Sequence, residues 1–427
     1  MSTSMRLLLT IAFLLIAPLA FAADALPEKA SPTTFNDWPR WRGPLGTGIA
    51  NPDQKVPLKW SATENVLWKA PVPGRGHGSP IVVGDRVLLQ TAELEPPQQS
   101  VLCFDRTTGK QLWKTVVHQG GLVTKGNKNS SLSSSTPCWD GERLYVNFLN
   151  KEAIFTTALD LSGKQLWQVK VADYAVHQGF AASPIVHENL VLVTADSDIG
   201  GVIAALDPKS GKQIWSTPRP KEDNYTSPMV LHIAGKDQLL VSGCKLVSSF
   251  NPKSGEKLWE IEGSTIECVT SVVTDGERIF VSGGWPRQHV QAIFADGSGK
   301  TAWESNSQVY VPSMIVKDGY LYGIQDRVGI ATCWKCDTGE LMWKERLPGG
   351  TFSSSLVLLG DNLFATNEAG ETFIFKASPD GYKKVAQNRL GDEAFASPAL
   401  CGNRLYYRVA ENTGGKRQEF LYCLGEK

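Results

Sequence analysis

The sequence predicts an all-β chain: an eight-bladed β-propeller of four-stranded antiparallel blades, its ring closed by an N-terminal outer strand. Three observations carry this. A polar motif ending on tryptophan, as in "ALDPKSGKQIW" at 205–215, recurs along the 427 residues. The endings Trp68, Trp113, Trp167, Trp215, Trp259, Trp303 and Trp343 stand 40 to 54 residues apart, a spacing that marks a repeat architecture. Between successive tryptophans lie four short β-rich runs separated by Gly, Asp or Asn turns, which is one antiparallel meander per repeat. Such units repeated radially leave only short, protected edges.

In chain order, Arg6 precedes an apolar run at 7–19 and a small-residue ending at Ala20 to Ala22, which reads as a signal peptide covering 1–22. No cysteine follows the cleavage site, so no lipid anchor is expected, and no later run approaches transmembrane length. A periplasmic or secreted protein is the expectation. Residues 23–57 read as an N-terminal arm and 58–427 as the propeller. The arm contains "DWPRWRGP" at 37–44, whose two Pro and one Gly make a poor helix or central strand. Two tryptophans left in water would form a sticky patch. Trp38 and Trp41 are therefore expected to dock beside the closing strand at 66–69 or over the channel mouth, with Arg40 or Arg42 reaching a carboxylate or carbonyl.

The first full unit reads "GSPIVV", "RVLLQT", "SVLCFD" and "QLWK", with "VGDR" as its first hairpin. Blades are counted by the inner-strand signature, a small hydroxyl residue usually followed by Pro: Ser79, Thr136, Ser183, Ser227, Thr270, Pro312, Ser354 and Ser397. The seventh unit lacks its tryptophan and places Val385 and Ala386 near the site. The last unit stops without an outer strand, whereas "NVLWKAP" around Trp68 is an outer strand without a blade. Joining the two closes the ring and leaves no open edge. The recurring motif is then the last hairpin of each blade, and its tryptophan packs between blades.

Lys plus Arg and Asp plus Glu both total 43, so no overall field favours nucleic acid or anionic lipid. Eight cysteines invite a disulfide framework, but Cys103 and Cys423 sit one repeat apart, where sheets stand about 10 Å from each other, beyond the about 7 Å that a disulfide tolerates. The pair in "CWKC" points to opposite faces of a strand. Buried, unpaired thiols are expected for most of them. "GSGKT" at 297–301 echoes a phosphate-binding loop, yet Phe294 stands where that loop needs Gly. "HENLV" from His187 lacks the second His of a zincin, and Asp337 follows "CWKC" where covalent haem needs His.

Ala205, Asp207, Gly211 and Trp215 form a pattern that resembles the tryptophan-docking motif of quinoprotein propellers. This PQQ-like repeat superfamily includes dehydrogenases dependent on pyrroloquinoline quinone (PQQ) and BamB-type propellers of outer-membrane assembly. The likeness covers roughly residues 58–427, and "NDWPRWRGPLGTGIA" at 36–50 resembles the opening of exported PQQ-like repeat proteins. An enzyme of this kind would need a quinone pocket, calcium-binding carboxylates and amides, a catalytic Asp and often two adjacent cysteines, which this chain lacks. BamB proteins are usually lipoproteins, and the lipidation cysteine is absent here as well. The expectation is a non-enzymatic binding or scaffold propeller of the cell envelope, without cofactor, metal ligand or catalytic residue. The alternatives are an alcohol or sugar dehydrogenase using PQQ with calcium, and an extracellular sugar- or polymer-handling protein.

Long links such as 118–136, 172–182, 217–226 and 283–290 fall on one face of the ring, where binding is expected. Positions two residues before each signature residue should surround the channel mouth: His77, Ser134, Ala181, Tyr225, Cys268, Tyr310, Phe352 and Phe395. The candidate binding residues are His77, Tyr225, Tyr310, Phe352 and Phe395, with Trp285 and Arg287 from "GGWPRQHV". Aromatics beside a concave site suit a protein or peptide partner. Packing between blades is the other reading of the same residues.

Overall fold

Each repeat hydrogen-bonds with itself before it meets its neighbour, and the result in the computed structural model is eight antiparallel sheets. Residues 36–426 are described. The signal-peptide expectation lies outside them. Blade one comprises Ile81–Val83, Arg86–Leu94, Pro97–Asp105 and Gln111–Gln119, from inner strand to rim. Blades two to six repeat the order from Cys138–Trp139, Ile185–His187, Met229–Ile233, Val273–Thr274 and Ile315–Lys317. Blade seven begins at Val357–Leu359 and carries a fifth strand, because Ile49–Ala50 of the arm pairs in parallel with it.

Blade eight closes the ring. Ala399–Cys401, Arg404–Thr413 and Lys416–Leu424 take their outer strand from the other end of the chain, Val66–Val72. Trp68 stands opposite Cys423 and Val72 opposite Glu419. The eight cysteines are all buried and free.

The recurring motif is a socket. In "ALDPKSGKQIW", Asp207 accepts hydrogen bonds from the Lys209 and Ser210 backbone and from the Ser210 hydroxyl, which fixes the turn. Gly211 then adopts a φ of +72°, and a Cβ there would stand 2.6 Å from Cε3 of Trp167 in the preceding blade. The same indole donates from Nε1 to the Pro208 carbonyl at 2.9 Å. Equivalent bonds run from Trp68 to Arg106, Trp113 to Leu161, Trp215 to Pro252, Trp303 to Cys336 and Trp343 to Ser378. Trp259 differs: it faces the looser turn "ADGSGK" and donates instead to the Gln238 side chain at 2.7 Å.

Ala386 occupies the tryptophan register in blade seven, opposite Ile374. The gap is filled from elsewhere in the chain. Trp60 inserts between blades seven and eight, stacked on Phe364 at 6.4 Å and tilted against Tyr407 at 5.9 Å. Its backbone is held by the Asn388 side chain of the same outer strand.

Two buried ion pairs complete the framework. Arg408 contacts Glu419 at 2.6 Å in blade eight and donates to the Gln90 carbonyl of blade one. Arg219 meets Asp196 in blade three and reaches Ser248 of blade four.

Candidate binding face

A ring of hydroxyl groups lines the channel and sets its register. The Ser79 amide donates to Thr136, Thr136 to Ser183 and Ser183 to Ser227. Ser271 donates to Ser313, Ser313 to Ser355, Ser355 to Ser397, and Ser397 back to Ser79. Each small side chain bridges two inner strands where a larger one would fill the channel. In blades five to seven the bridging residue is one position later than the expected Thr270, Pro312 and Ser354. A one-residue slip in a strand exchanges its faces.

The slip changes who lines the mouth. His77, Ser134, Ala181, Tyr225, Val269, Val311, Ser353 and Phe395 face the channel. Cys268, Tyr310 and Phe352 do not: Tyr310 turns to a neighbouring groove, and Phe352 is 0% exposed and packs in the core between blades six and seven, against Phe373. It leaves the candidate set for that reason. His77 and Phe395 stack at 4.2 Å, and burial beside Arg75 and Arg408 holds the imidazole well below its ordinary pKa, hence neutral.

The arm stops the channel at the opposite, short-turn face. Trp38 is 2% exposed and bridges Val82 of blade one, and the Pro39 carbonyl accepts from the Trp139 amide of blade two. Trp41 enters the channel and donates from Nε1 to the Ser271 hydroxyl at 2.8 Å, the position where the hydroxyl ring lacks its link from blade four. Arg42, buried without a carboxylate partner, donates to the Thr47 and Met314 carbonyls at 2.6 Å each. Its charge is compensated by carbonyl dipoles alone, and burial pulls its pKa down to about 9.

What remains open is the long-link face. A groove of about 460 Å³ lies there, walled by Trp285, Tyr310, Tyr225, Phe180 and Val311, with Arg327 at its edge. Trp285 is 55% exposed, and Arg287 projects from the same hairpin into solvent without lining the groove. The floor is acidic. Glu267, itself buried, accepts from the Tyr310 hydroxyl at 2.6 Å and faces His177 Nδ1 at 3.4 Å. His177 Nδ1 also meets Asp223 at 3.2 Å. The other Asp223 oxygen and the Tyr225 hydroxyl are buried without hydrogen-bond partners. Burial raises the Asp223 carboxyl pKa, with His177 pulling it back, and burial keeps both tyrosines protonated. Such a floor offers acceptors and donors to an incoming polar group.

The structure thus brings Tyr225, Tyr310 and Trp285 to one groove and places His77 and Phe395 deeper in the channel. Sequence reasoning singled out the links that hold His177 and Asp223 but not these residues. Glu267 was hidden beside Cys268, misread as a mouth position.

A family profile described as outer membrane protein assembly factor BamB matches residues 58–174 and 97–345. The chain is 23% identical to BamB of Bordetella pertussis over 352 residues, covering 78% of this chain and 80% of that protein. It is 25% identical to a polyvinylalcohol dehydrogenase of a Pseudomonas species over 249 residues, 53% of this chain but 36% of that enzyme. Among solved structures, a europium-containing methanol dehydrogenase superposes with a TM-score of 0.68 at 11% identity, over 92% of this chain and 99% of that one. BamB from Moraxella catarrhalis superposes with a TM-score of 0.58 at 12% identity, over 84% and 99% respectively.

Proposed function

From the premise that this chain belongs to the BamB family of PQQ-like propellers, we propose that it is a non-enzymatic scaffold of the cell envelope whose long-link face holds a peptide segment of a partner protein. The observation that carries this is the groove itself: an exposed Trp285 beside Tyr310 and Tyr225, over a floor of Glu267 and His177, with Asp223 behind the imidazole. Tryptophan and tyrosine are the residues on which interface energy concentrates. The Glu267 carboxylate on the floor favours a partner that brings positive charge, so the segment should present a Lys or Arg between apolar side chains. The match to most of a BamB sequence, against about a third of the polyvinylalcohol dehydrogenase, supports a scaffold over an enzyme. Among the described residues no helix is long and apolar enough to cross a membrane, and the envelope location rests on the family.

The dehydrogenase relatives support a second reading, with PQQ and calcium on the same face. The donor set does not fit that group. PQQ is a polycarboxylate, and the mouth offers Glu267 and Glu368 against Arg327 and a neutral His77. A calcium ion would offset the acidic groups, but among the residues lining the mouth and groove Arg327 is the one guanidinium or ammonium to pair with the cofactor's several carboxylates. The test of both readings is direct. A tryptophan-fluorescence titration with an array of short cationic, aromatic peptides should show saturable binding that Trp285→Ala and Glu267→Gln weaken. Stoichiometric PQQ uptake with calcium, followed by alcohol-dependent dye reduction, would replace the scaffold reading with the enzymatic one.

A further inference from the structure

We propose that the short-turn edge between blades three and four is a divalent-metal site of the imidazole and carboxylate class, with Zn2+ as its preferred occupant. His187 ends the inner strand of blade three and Glu188 begins the turn after it. Asp237 lies in the second strand of blade four, directly opposite His232 of the first. The donor atoms of His187, Glu188 and Asp237 all lie within 4.8 Å of one another. His187 Nε2 stands 3.3 Å from Asp237 Oδ2, about the edge of a tetrahedron with bonds of about 2.0–2.1 Å, the geometry of zinc with nitrogen and oxygen ligands.

The pairing is otherwise unexplained. His187 Nε2 is out of contact with solvent and makes no hydrogen bond, although a carboxylate oxygen is near. A proton on Nε2 would lie between the two atoms, but the geometry closes no hydrogen bond, and a metal ion would satisfy both. The second Asp237 oxygen is held by His232 Nδ1 at 2.7 Å, which orients the carboxylate as outer-shell partners do at metal centres. Glu188 contacts Lys253 at 3.0 Å, an exposed pair that a metal would displace. Imidazole with carboxylate suits zinc better than calcium or magnesium, which take oxygen ligands. The segment "HENLV" lacks a second His in its own strand, and the neighbouring blade supplies Asp237 as the third ligand, with His232 behind it. Bound metal would clamp two blades together on the face away from the peptide groove.

The experiment is titration of Zn2+ into the tag-free, metal-stripped chain, read by calorimetry and by melting temperature. One site per chain and a raised melting temperature are expected. His187→Ala and Asp237→Asn should each weaken binding by at least about tenfold. His177→Ala, at the His–carboxylate cluster of the opposite face, should bind as the parent does. Circular dichroism of the variants controls for folding, since His187 and Asp237 are partly buried. Absence of saturable binding, parent-like affinity in His187→Ala, or equal affinity for Ca2+ would overturn the assignment and leave a solvated ion-pair cluster.

Discussion

Gly211 and Gly360 both adopt positive φ, +72° and +56°, but a Cβ at 211 would press on Trp167 whereas one at 360 meets nothing. Gly211→Ala should therefore destabilise by on the order of 1–3 kcal/mol more than Gly360→Ala in denaturant melts, a difference that isolates the socket from backbone strain. The buried pair in blade eight makes a second residue-scale prediction. Glu419→Ala leaves the Arg408 guanidinium unpaired in the interior and should cost about 3–5 kcal/mol, whereas replacing both partners by Leu and Met should cost less. Two titrating groups act in opposite senses. Burial pulls His118, packed edge-on against Phe148 and Phe155, down to about 4. The unfolded chain then binds more protons between pH 6.5 and 4, and stability falls as pH drops through that window. Burial pushes Asp326 up to about 6, so the folded chain binds more protons between pH 6 and 3.8, and stability rises as pH drops there. Thermal melts from pH 7 to 4 should show a steeper acid loss in Asp326→Asn and a shallower one in His118→Phe.

At the scale of elements, the outer strand of blade eight carries the closure. Deleting residues 58–72 removes Trp60 and Trp68 with that strand, exposes the edge of Lys416–Leu424 and should strongly lower the melting temperature. An unchanged melting curve would refute the closure. Ile49–Ala50, the fifth strand of blade seven, escaped the sequence reading, but the eight copies of a four-strand unit were legible because their strands are β-rich in composition and turns with Gly, Asp or Asn separate most of them. Inner-strand register in blades five to seven was not. "VTSVV", "VPSMI" and "FSSSL" each offer adjacent residues that could serve as the bridge, and local pattern cannot choose between neighbours. A constant interval could have: Ser271, Ser313, Ser355 and Ser397 are joined by bonds that each span 42 residues. The acidic floor and the His187 cluster were not legible at all, since their members come from different blades and meet only through packing.

For the molecule as a whole, the two faces of the ring are made unequal by one short segment. The arm contacts blades one, two, five, six, seven and eight, so the channel is a blind well open toward the long links. The clasp in blade eight also has a consequence in time. Its outer strand, Val66–Val72, is synthesised before blade one, and its partner, Lys416–Leu424, after blades one to seven. Pairings of such sequence separation form slowly. During synthesis the early strand must wait as an unpaired, apolar edge while seven blades assemble beside it. A nascent chain stopped short of residue 416 should therefore be cut near residues 58–72 by a protease that leaves the finished protein intact.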